Sequence, residues 1–144
     1  MLLWFAGLSV LLVWQVFHDP RIDYRLVVVG ALLPDVVDGV LGGARVLHSL
    51  SFSVALLGVV MLVRRRPLRR RLLAVPIGTF LHLVLDGMWA RTDVFWWPFT
   101  GWSFGDSALP SFDRSPLLVA AMEVAGLAAL WWFAGVREAE DRVP

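Results

Sequence analysis

Asp35 and Asp38, His48, and the pair His82 and Asp86 bring carboxylate and imidazole groups into a stretch otherwise rich in Val, Leu and Gly. The i,i+3 spacing of the aspartates and the i,i+4 spacing of His82 and Asp86 each put two side chains on one helical face. Oxygen and nitrogen donors of this kind suit a divalent metal ion, zinc first, with manganese and iron also compatible. The chain has no cysteine, so no thiolate can join such a site and no disulfide framework exists. Taken pair by pair, the same residues are interhelical hydrogen-bonding partners that lock a bundle. A metal becomes the stronger expectation when all of them converge at one depth.

The elements that must position them are apolar. With 144 residues of which 58% are hydrophobic, and a mean hydropathy of +0.71, the chain exceeds the soluble norm of about 45–50% apolar residues. We expect an all-α, integral membrane bundle of about five transmembrane helices forming one domain, at residues 2–17, 26–41, 47–63, 72–90 and 116–136. The first of these lacks a basic leader and a small-residue cleavage site and reads as a retained helix. Residues 91–115, with Trp96, Trp97, Pro98, Phe99, Trp102 and Phe104, form an aromatic connection expected in the outer interface, as a cap over the site or a plain anchor. Asp93, Asp106 and Asp113 within it are expected to be solvated. Pro34 and Pro76 fall inside helices and should bend them, Pro34 directly before Asp35.

Orientation follows from arginine, the only basic residue type besides histidine, in a chain of net charge +1. If residues 64–71 lie in the cytoplasm, Arg21, Arg25, Arg137 and Arg142 lie there too, leaving Arg45, Arg91 and Arg114 outside. The expectation is a multi-pass protein of the cell's inner membrane, amino terminus outside and carboxyl terminus cytoplasmic. The arginine run is then a topology anchor, or else a site for lipid headgroups; flanked by membrane helices, it implies no nucleic-acid partner. Trp4, Trp89, Trp96, Trp97 and Trp102 would form one interfacial belt and Trp14, Trp131 and Trp132 the other.

Counted at about 1.5 Å per residue from the arginine-bearing ends, Asp35, Asp38, His48, His82 and Asp86 all fall in the outer half of the membrane. A short turn at 42–46 would return His48 to the side of Asp38. An ionisable group at the centre of a membrane helix costs roughly 2.5–3.5 kcal/mol, which a shared metal would offset. Glu123 sits at similar depth in the last helix, as a further ligand, as the base that takes a proton from water, or in a structural pair with a group such as Ser53. Thr79, Ser49 and Ser53 either orient ligands or bond carbonyls of their own helices. His18 and Asp19 fall on the cytoplasmic side and are left out of the site.

At Gly30-Ala31-Leu32-Leu33-Pro34-Asp35-Val36-Val37-Asp38, then His48-Ser49, His82-Leu83-Val84-Leu85-Asp86 and Trp97-Pro98-Phe99, the chain resembles the YdjM-like family of membrane-bound metal-dependent hydrolases. The likeness covers roughly residues 26–104 and rests on the order of short motifs. It implies Asp35, Asp38, His48, His82 and Asp86 as the metal-binding set. The chain departs from the family pattern in having no histidine inside the first helix, and Gly43 and Ala44 where a second histidine is expected; that favours a single ion or recruits Glu123. The resemblance implies a hydrolase without a defined substrate; our own expectation is hydrolysis of a phosphoester or related bond in a lipid-like substrate at the extracytoplasmic face. Asp38 and Glu123 would be the carboxylates that manage the proton. Arg45 and Arg91 at the outer rim would hold a phosphate, unless they are solvated rim charges. The other class open to such a chain is a non-enzymatic bundle, an ion or proton pathway or an accessory subunit of a membrane complex.

Overall fold

The computed structural model describes residues 1–40, 45–103, 114–140 and 142. Among these the chain is all-helical, without strands. Seven α-helices follow one another: α1 (Leu2–Phe17), α2 (Tyr24–Val40), α3 (Leu50–Met61), α4 (Arg66–Leu72), α5 (Ala74–Leu85), α6 (Thr92–Phe95) and α7 (Pro116–Glu140). Single 3-10 turns at Val46–His48 and Met88–Ala90 stand before α3 and after α5. Most of the turn expected at 42–46 lies outside the described residues, as do Phe104, Asp106 and Asp113.

Two helix pairs carry the packing, α2 on α5 and α1 on α7, and α1 joins them by also contacting α2 and α5. Small residues set both pairs. A Cβ built on Gly30 would strike the carbonyl of Val75, and one on Gly78 the carbonyl of Val27, so α2 and α5 meet backbone to backbone. Gly7 meets the carbonyl of Gly126 in the same way, and Gly126 that of Leu3. Small residues let helix backbones approach this closely.

The expected helix at 72–90 is divided. An arginine-rich helix α4 ends at Leu72, α5 starts at Ala74, and Gly87 at φ 72° stops the run just after Asp86. Pro76 therefore stands in the first turn of α5, where its missing N–H has little to satisfy. Pro34 is the proline within a helix proper. By length and apolarity one described helix, Pro116–Glu140, is able to cross a membrane by itself, while α1 and α3 are shorter apolar helices. Trp14 departs from the expected belt: it is 4% exposed and packs against His18, Tyr24 and Phe133.

Candidate metal centre

Three donors meet at the ends of α2 and α5 and in the 3-10 turn before α3. His48 Nε2 and His82 Nε2 are 3.3 Å apart, and Asp35 Oδ1 lies 3.5 Å from the first and 3.6 Å from the second. Tetrahedral bonds of about 2.0–2.1 Å leave ligand atoms about 3.3–3.4 Å from each other, so this near-equilateral triangle has the size of one face of a zinc-type site. Three such donors would leave the fourth tetrahedral position of a bound ion open. Both histidines are fully buried, and the Asp35 side chain is 13% exposed.

The second nitrogen of each ring shows why the first is free to bind. His82 Nδ1 lies 2.7 Å from the carbonyl oxygen of Ala31, which can only accept, so Nδ1 carries the proton and Nε2 presents its lone pair. His48 Nδ1 lies 2.8 Å from Asp38 Oδ2, an imidazole–carboxylate pair of the kind that orients metal ligands. Two lone pairs and a buried carboxylate oxygen without a hydrogen-bond partner thus face one point. A cation between them removes that repulsion.

Proline explains the placement of His82. Pro34 cannot donate to the carbonyl of Gly30 one turn back, and the Thr79 hydroxyl of α5 donates to that oxygen at 3.2 Å. The next carbonyl, Ala31, takes the His82 ring one turn beyond Thr79. Thr79 also donates to Val75 of its own helix at 3.1 Å. Of the two roles expected for this hydroxyl, the structure shows the bond to a carbonyl of its own helix. From α1, the buried Phe5 ring lies against His82 with centroids 4.1 Å apart.

Asp38 stands beside the cluster as a positioning residue. Its Oδ2 accepts from the backbone N–H groups of Arg45, Leu47 and His48 at 2.9, 3.1 and 3.2 Å, besides the His48 ring. One carboxylate oxygen so organises the whole turn that carries His48. Ser49 closes that turn, donating to Val46 at 2.7 Å and accepting from Phe52 N–H at 3.1 Å as the N-cap of α3.

Three further expectations take a different form. Asp86 is the C-cap of α5 and lies outside the triad; its Oδ1 is 3.3 Å from Arg114 Nη2, which also donates to the Asp86 carbonyl at 3.0 Å. The triad and Asp86 remain within electrostatic reach of each other, and Arg91 is near Asp86 as well. Glu123 is engaged at the start of α1, accepting from Leu3 N–H at 2.9 Å and lying 3.3 Å from the Met1 ammonium. That is the position where a helix dipole favours a carboxylate, and it departs from the expected ligand or base. Arg45 is exposed and enters the site through its backbone N–H. His18 and Asp19 serve the turn after α1, His18 as its left-handed C-cap and Asp19 by accepting from Arg21 N–H at 2.9 Å.

Phe5, the Ala31 carbonyl and Arg114 are members of the site region that spacing did not single out. Pro34 carried a signal for the second, since a proline in a helix frees the carbonyl at i−4 and loosens its neighbour. The connection after α5 folds back on its end, where Leu83, Met88 and Val94 form a small buried cluster, and the carbonyl of Trp97 accepts from Ser51 of α3 at 2.6 Å. Compared with protein-family models, with curated proteins and with solved structures, the chain matches none.

Proposed function

We propose that the protein is a multi-pass membrane metal-dependent hydrolase of the YdjM-like kind, with Asp35, His48 and His82 holding one divalent ion, zinc by preference. The observation that carries this reading is the 3.3–3.6 Å triangle of two imidazole nitrogens and one carboxylate oxygen, with both imidazoles turned by acceptors at Nδ1. A divalent ion in such a site supplies Lewis acidity toward a scissile ester and brings the ionisation of a water near neutral pH. Asp38 holds the proton on His48 Nδ1 and fixes the ring. Asp35, the accessible member, would hold the ion through Oδ1, and its second oxygen would take a proton from an incoming water. Arg114 and Arg91, near Asp86, supply positive charge for a phosphate.

A lipid-like substrate is supported by an apolar cavity of about 390 Å³ between α1, α3 and α5, within the range of about 300–1,000 Å³ common to ligand sites. Leu50 and Leu81 in its wall are close neighbours in sequence of His48 and His82. A membrane setting is supported by α7, whose outward residues include Leu117 at 82%, Val124 at 67% and Trp131 at 80% exposure. In this reading α1, α2, α3 and α5 cross with α7 as five spans, and the metal centre lies toward the extracytoplasmic face.

One observation favours a second reading. His48 lies between two carboxylates, Asp38 at 2.8 Å and Asp35 at 3.5 Å, and a proton held on its ring would also separate the opposed nitrogens, as in a proton pathway. Elemental analysis of detergent-purified protein separates the two. We expect one metal per chain, lost in His48→Ala and His82→Ala. Asp38→Ala, which removes a positioning group, should weaken affinity by about 10–100-fold while the stoichiometry at saturating metal persists. No stoichiometric metal in the parent protein, or unchanged metal content in both histidine variants, overturns the hydrolase reading; a screen of lipid phosphate esters with the loaded protein then tests the substrate.

A further inference from the structure

At the other end of α2, about 15 Å along its axis from Asp35 by helical rise, six arginines from three separate parts of the chain line one cavity of about 830 Å³. Arg21 comes from the turn before α2 and Arg25 from its start, Arg66, Arg70 and Arg71 from α4, and Arg137 from α7. Its floor is aromatic, with the rings of Tyr24 and Phe133 4.8 Å apart. Asp23 is the one carboxylate among the described residues of the lining, and Arg71 Nε donates to it at 2.7 Å. That bond holds the Asp23 carboxyl below its ordinary range, so it stays ionised and paired with Arg71. Arg137 is steadied by donating to the Pro20 carbonyl at 3.3 Å, a contact that neutralises no charge.

A topology anchor requires positive charge on one side of the membrane and nothing more. It does not require arginines from the turn before α2, from α2, from α4 and from α7 to line a common hollow, where like charges repel. An anion with several oxygens relieves that repulsion, and planar guanidiniums match phosphate oxygens in bidentate pairs. We infer that this cavity is a binding site for a phosphate-bearing anion, either the headgroup of an anionic lipid or a free phosphate compound. The site is separate from the metal centre and does not depend on the hydrolase reading.

The test uses the full chain in detergent. Native mass spectrometry counts phosphatidylglycerol retained against phosphatidylcholine, and calorimetry measures pyrophosphate, so the responding arm names the source. Arg66→Gln with Arg70→Gln and Arg137→Gln is compared with Arg64→Gln, Arg65→Gln and Arg69→Gln, which remove equal charge outside the cavity. We expect the first triple, which removes the guanidiniums that pair with phosphate oxygens, to lose binding by about tenfold or more, while the second stays close to the parent. Arg70→Gln against Arg65→Gln, both at exposed positions, repeats the comparison should a triple variant misfold. Equal losses in the two sets, or no preference of the parent for phosphatidylglycerol or pyrophosphate, overturn the proposal.

Discussion

At the scale of single residues, the site is held by hydrogen bonds that a proline makes necessary. Gly30 has lost its helical donor to Pro34, and the Thr79 hydroxyl replaces it from α5. Thr79→Val should therefore leave a buried carbonyl without a donor and cost about 1–3 kcal/mol. In a Pro34→Ala background the N–H of residue 34 returns to Gly30, and the same Thr79→Val change should cost clearly less. Thermal unfolding of the parent, both single variants and the double variant gives the coupling. An additive cycle would mean that the proline and the threonine act independently. Asp38 illustrates the same scale from the ligand side, since four contacts converge on a single oxygen.

At the scale of elements, α2 and α5 must approach until their backbones touch, or the Ala31 carbonyl cannot reach His82. Gly78 permits that approach, because any Cβ there meets the backbone of α2. Gly78→Ala should destabilise the protein by about 1–3 kcal/mol, as overpacking does, and lower metal affinity with it. Gly58 in α3 has no neighbour where a Cβ would stand. Gly58→Ala should accordingly stabilise by about 0.5–1 kcal/mol through helix propensity. Melting temperatures that move in the same direction for both variants would refute this account of the α2–α5 contact. The turn carrying His48 is the other positioning element, and it belongs to α2 through Asp38 as much as to α3 through Ser49.

For the whole molecule, the two ends are chemically opposite. One carries Asp35, His48, His82 and Asp86; the other carries Arg21, Arg25, the arginines of α4 and Arg137. The α1–α7 pair spans the same length, with Glu123 beside Leu3 at the first end and Arg137 beside Pro20 at the second. A five-span arrangement with the arginine end in the cytoplasm places the two termini on opposite sides. A reporter fused after Pro144 should then be active only in the cytoplasm, and one fused before Met1 only outside; both reporters active on one side would exclude an odd number of crossings.

Type and spacing alone determined the all-helical class, the bounds of α1, the donors Asp35, His48 and His82, and the exclusion of thiolate chemistry. These follow from local rules, namely apolar runs, helical periodicity and the ligand preferences of side chains. The tertiary structure alone decided which carboxylates belong to the cluster. Asp35 and Asp38 share one helical face, and only the return of the chain at 45–48 commits Asp38 to three backbone N–H groups and leaves Asp35 beside the two imidazole nitrogens. Counting along the helix gave Glu123 the expected depth of a ligand, yet the start of α1 takes it, a contact across 120 positions of sequence. Arg114 reaches Asp86 for the same reason. No local pattern records which distant donor will satisfy a buried acceptor, because that choice is made when helices pack.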